Sequence, residues 1–134
     1  MPDGYALALQ VGLVAALKAV PDFTGKVYAE APQNVSLPYI RIGGIIPRPF
    51  RTTAGRGARV TFSIEAHSRP SNAGRVEATQ MAEAIVAALN ENEAAVSVAG
   101  HRLVALEWVT TTVAPDEDIQ DFTAIVAFEA VIDG

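Results

Sequence analysis

The chain contains no cysteine. Disulfides and thiolate-bound metals are therefore excluded, and cysteine usage fixes no compartment. Histidine is nearly as scarce: His67 and His101 stand alone and far apart, too few for a histidine-built metal cluster. Aromatic residues make up only 7% of the chain, and alanine and valine carry much of the hydrophobic 50%. Small side chains let elements pack closely but bury less area each. Such a domain is expected to lean on neighbours for part of its stability. Basic residues are outnumbered by acids, with a formal net charge of −5, so bulk attraction to nucleic acid is not expected. No apolar run is long enough to span a bilayer. The apolar stretch 5–17, followed by Ala29-Glu30-Ala31, fails as a secretory signal. Asp3 stands where a basic region is needed, Lys18 follows the run, and the small-residue site lies too far downstream.

What remains fits one domain, residues 1–134, with one core. Asp3 is a candidate N-cap for a helix that runs to about Val20, where Pro21 ends it. Leu7, Val11, Val14 and Leu17 form one apolar stripe; Leu9, Leu13, Ala16 and Val20 form another. A helix apolar on most sides must be covered on most sides, by its own sheet or by a partner subunit. A short strand is expected over Lys26–Ala29. A second opens after Pro38 and runs over Tyr39–Ile46, with Gly43-Gly44 marking a bulge or a close backbone approach. Residues 47–58 carry two prolines and two glycines without an apolar period and read as a loop. Arg59–Ser68 alternates, with Val60, Phe62, Ile64 and Ala66 on one face, and completes a hairpin with a long tip. After Arg69-Pro70, Ser71 or Asn72 caps a helix to about Asn90, its inner face built from Ala78, Met81, Ala82, Ile85 and Leu89. Ala95–Val98 and His101–Thr112 read as a hairpin about Ala99-Gly100. Residues 113–120 read as a polar loop and Asp121–Asp133 as a last strand. The expected order is α-β-β-β-α-β-β-β: an α+β fold with an antiparallel-rich sheet and two helices packed on one side.

Charge is distributed unevenly. Arg41, Arg48, Arg51, Arg56 and Arg59 are half of the basic residues, and no acid interrupts the stretch between the first and last of them. Asp116, Glu117, Asp118 and Asp121 form an acidic cluster. A basic and an acidic segment imply complementary surfaces, within a protomer or between protomers.

Catalytic patterns do not assemble. There is no Gly-x-Ser-x-Gly, and His67 and Ser68, adjacent on a strand, point to opposite faces. Gly55-Arg56-Gly57 lacks the helix that a phosphate cradle needs. The acidic cluster lacks the spacing, central glycine and final glutamate of a calcium loop. No catalytic residue, metal or cofactor is assigned. Arg48, Arg51 and Arg56 on a Gly/Pro segment fit carboxylates or phosphates of a partner, and among aromatics only Phe50 stands near them for base stacking.

Several segments resemble one family in their order. Val27-Tyr28, Ala31-Pro32 and Leu37-Pro38-Tyr39-Ile40 look like its first strands. Ser68-Arg69-Pro70, Glu77 and the run to Leu89 are similar to its strand end and second helix. Residues 96–104, VSVAGHRLV, resemble its next hairpin. The family is the tail-terminator, or tail-completion, proteins of siphophages and gene transfer agents, and the likeness in layout covers nearly the whole chain. His67 departs from it, standing where an aromatic, often Trp, is expected. The resemblance implies a structural virion protein without an active site, built into a homo-oligomeric ring, a hexamer. The ring sits at the head-proximal end of the tail, caps the tail tube, ends its polymerisation and offers a surface to the head-side connector or stopper protein. Its partners are then its own copies, the tail tube protein and the connector, with DNA only passing through the lumen, no membrane, and assembly in the host cytoplasm. Arg48, Arg51, Arg56 and Arg59 with Asp116, Glu117, Asp118 and Asp121 are the expected interface. The alternatives are another joining component, a stopper or tube subunit, or a small α+β ligand-binding protein or enzyme.

Overall fold

A computed structural model describes residues 5–29, 38–52, 55–68, 74–116 and 121–133. The expected caps Asp3, Ser71 and Asn72 lie outside these residues. The first helix, α1, spans Tyr5–Lys18. Val20 is extended at φ −75°, ψ 121°, the conformation that a following proline imposes. Pro21–Phe23 then form a single 3-10 turn. Strand β1 (Val27–Tyr28) runs parallel to β2 (Tyr39–Thr52), and β2 turns back into β3 (Gly55–His67). Helix α2 (Gly74–Leu89) leads to β4 (Arg102–Asp116) and β5 (Asp121–Asp133). The sheet order is β1-β2-β3-β5-β4, and every neighbouring pair except β1–β2 is antiparallel.

The pleat sorts the side chains. Ile40, Ile42, Val60, Phe62, Ile64, Ala66, Val126, Phe128 and Ala130 share one face and are buried. Leu9, Leu13 and Leu17 of α1 and Ala78, Met81, Ala82, Ile85 and Leu89 of α2 close over them. The α+β architecture with both helices on the sheet is therefore the observed one, and the expected strand and helix faces hold. The two apolar stripes of α1 are covered unequally: in the first, Leu17 is buried and Val14 packs against the core, while Leu7 and Val11 remain 64% and 60% exposed.

Glycines set two close approaches. The β2–β3 register gains one extra β2 residue between Ile42 and Ile45, so Gly43-Gly44 is the expected bulge. A Cβ on Gly43 would meet Ser63 Oγ at 2.3 Å. On α1, a Cβ on Gly12 would meet the carbonyl oxygen of Ser97 at 2.3 Å. Residues 96–98 lie so close to the helix that only glycine fits beneath them.

Three expectations are corrected. Where a strand was expected at Ala95–Val98, a 3-10 turn (Glu93–Ala95) stands, and the next residues form no ladder. Val96 and Val98 are buried all the same, because the segment packs on α1 at Gly12. Residues 47–52 and 55–58 are strand and not loop: pairing continues to Thr52↔Gly55. Pro47 and Pro49 are tolerated because this half of β2 is a sheet edge, and two residues apart they turn the same, partnerless side outward. Residues 113–116 likewise belong to β4, which pairs with β5 as far as Asp116↔Asp121.

Candidate functional site

The extended β2–β3 hairpin brings the arginines into register. Arg48 stands opposite Arg59, and Arg51 opposite Arg56. Like charges directly opposite on a ladder destabilise it unless a counter-charge arrives. Arg59 has one: its Nη1 donates to Glu129 Oε1 at 2.8 Å on β5. Among the described residues Arg48 donates to the hydroxyl of Thr61, at 3.4 Å. Among the described residues no carboxylate reaches Arg48 or Arg51, and both are exposed. Arg41, the fifth arginine of the sequence cluster, belongs to a different group. It forks onto Glu65 with bonds of 2.8 and 2.9 Å from Nη2.

The acidic segment lies at the other end of the sheet. Asp116 and Asp121 face each other in the last register position of the β4–β5 hairpin, while Glu117 and Asp118 fall outside the described residues. The tip of the arginine hairpin is beside the C-terminal end of β5, at Gly57↔Asp133. The whole of β5 separates the two clusters, roughly 40 Å at the rise of an extended strand. Screening acts over about 8 Å at physiological ionic strength. The two clusters do not neutralise one another within a protomer.

The histidines are structural in their contacts. His67 stacks on Tyr39 with centroids 4.6 Å apart and 17° between planes, lies 3.1 Å from Glu65 Oε1 through Nε2, and lies 3.3 Å from Thr123 Oγ1 through Nδ1. Its ring thus takes the stacking place of an aromatic residue. Ser68 is fully buried, and its hydroxyl donates to the Phe122 carbonyl while accepting from the Phe122 N–H. No nucleophile is available there. His101 lies against Tyr5 at 4.6 Å. A groove between α2 and β4 is lined by Thr79, Ala82, Glu83, Val86, Trp108 and Thr111, a lining with one ionisable side chain and no acid–base pair. Among the described residues no group of three or more His, Asp or Glu side chains is placed to hold a metal, and no helix is long and apolar enough to cross a membrane.

Residues 11–133 match the tail completion protein gp17 family. The chain belongs to that family. It is therefore a structural tail protein, in keeping with the resemblance carried by its strand and hairpin segments. Among solved structures it superposes on a chain from the virion of a native gene transfer agent particle with a TM-score of 0.84 and 22% identity, covering 99% of this chain and 100% of that one. That likeness shows a shared fold. No curated protein sequence matches significantly.

The pairing of the arginines went unread in the sequence although a signal was there. Arg48 and Arg59, like Arg51 and Arg56, are equidistant from the bond between Thr53 and Ala54. Spacing that mirrors about a point is what a two-stranded ladder produces. Trp108, 45% exposed at the mouth of the α2–β4 groove with its indole N–H on Thr111 Oγ1 at 2.8 Å, had no sequence signal of its own.

Proposed function

We propose that this tail-completion protein assembles as a ring, six copies by analogy with the family, at the head-proximal end of a tail tube. There it ends tube polymerisation and supplies the joint to the head-side connector, while DNA passes through its lumen. One observation supports this reading above the others: two hairpins of opposite charge leave the opposite ends of a single sheet, too far apart to satisfy each other. Charge so placed serves contacts with other chains, and a contact between two different surfaces of one chain generates rings when the rotation closes. In this reading Arg48, Arg51, Arg56 and Arg59 and the acids Asp116, Glu117, Asp118 and Asp121 are contact residues, to neighbouring subunits or to the tube. The partly covered α1 fits a protomer that gains further cover on assembly.

The test is to produce particles without this protein and image them. The expected products are tubes of unregulated length or tails that fail to join heads. Tails of normal length joined to heads would overturn the proposal. The native mass of the purified assembly gives the copy number.

A further inference from the structure

We infer that the arginine hairpin of one protomer receives the acidic β4–β5 hairpin of a second copy of the same chain, rather than a surface of the tail tube. The inference rests on the reading of this protein as a ring component and names the partner of its charged surface. Among the described residues no carboxylate reaches Arg51, which stands opposite Arg56 on the one hairpin, and Asp116 stands opposite Asp121 in the last register position of the other, at the far end of the sheet. Arg48 adds a second cation that meets no carboxylate among the described residues. Each hairpin holds its charges on a paired backbone, so little ordering remains to be done on contact. Positions 48 and 51 fall on opposite faces of the ribbon by the pleat, so the ribbon offers cations on both sides. The complementary hairpin is present in the same number of copies, at the end of the sheet facing away. End-to-end association therefore matches every arginine hairpin with one acidic hairpin around a closed ring, and leaves neither charge uncompensated.

The experiment uses two full-length variants, R48E/R51E/R56E and D116K/D121K, with thermal unfolding as the check on folding and native mass as the readout. Each variant alone is expected to lose association by about tenfold or more, because acid then meets acid, or base meets base, at every contact. Mixed in equal amounts they are expected to assemble again, since alternating copies restore an opposite-charge contact at every junction of an even-numbered ring. One chain carrying both sets of changes is expected to assemble unaided. If the arginine variant fails and neither the mixture nor the combined chain recovers, the arginines serve a different protein and the inference is wrong, while the role in the tail stands. If neither variant changes the assembled mass, the charged hairpins are not contact surfaces at all, and both readings of them fall. Should a reversal unfold the protomer, the unaltered protein decides: its assembly must weaken steadily with added salt, and a mass unchanged up to about 1 M salt, where the screening length is near 3 Å, rejects the pairing.

Discussion

Phe62 and Phe128 stand directly opposite each other in the β3–β5 ladder, their rings stacked at 5.4 Å with 13° between planes. Both are buried beneath the helices. The two rings are the largest fully buried side chains in a core built mainly of Leu, Ile, Val and Ala. Phe128→Ala is expected to cost about 3–5 kcal/mol, measured by urea unfolding. A loss below about 1 kcal/mol would mean that the ring contributes no core packing.

Helix α1 offers an internal comparison. Leu13 is fully buried and Leu7 is 64% exposed. Leu13→Ala is expected to destabilise the protomer by about 2–5 kcal/mol, and Leu7→Ala by about 0.5 kcal/mol or less. Equal costs in the dissociated protomer would show that the helix is rotated from the described orientation.

At Gly12 the obstacle to a side chain is the carbonyl of Ser97 and not a movable side chain. Gly12→Ala therefore forces the 96–98 segment off the helix, and the expected loss is about 1–3 kcal/mol despite alanine's better helix propensity. Thermal denaturation decides the sign. A more stable protein would place the segment farther from α1.

The double variant H67Q/H101Q is expected to fold and to assemble. Glutamine at 67 offers an amide donor to Glu65; the contact of His67 Nδ1 with Thr123 Oγ1 is given up, along with ring stacking on Tyr39 and Tyr5, on the order of 0.5–1.5 kcal/mol per pair. Particle assembly is the measurement. Failure to assemble in a variant that folds normally would give one of these rings a role beyond packing.

Much of this was legible in the sequence where the local pattern and the tertiary environment agree. The alternation of Val60, Phe62, Ile64 and Ala66 and the helical spacing from Ala78 to Leu89 specify faces, and those faces are buried. The reading failed where local chemistry was overridden by position in the sheet. Pro47 and Pro49 signal a break, but on an edge strand a missing N–H costs nothing. The short run Val96-Ser97-Val98 has the alternation of a strand, yet its partner is a helix glycine that no periodicity announces. For the charged surfaces, the residue types were visible and the geometry was not. Which arginine faces which, and that the acids lie a full strand away, depends on register across β3 and β5.

The segment after α2 covers part of the outer border of β4. Glu91 N–H donates to the Leu106 carbonyl at 2.8 Å, Leu106 N–H to a Glu93 carboxylate oxygen at 2.9 Å, and Trp108 N–H to Asn90 Oδ1 at 2.9 Å. Bulges at Leu103/Ala105 and Trp108/Thr110 disrupt the same strand, and prolines blunt the other border of the sheet. An open strand edge is a ready template for pairing with another chain, and so for fibril growth. With the Leu106 and Trp108 amides occupied on one flank and the amides of positions 47 and 49 missing on the other, both edges of the sheet are interrupted as templates for cross-β growth.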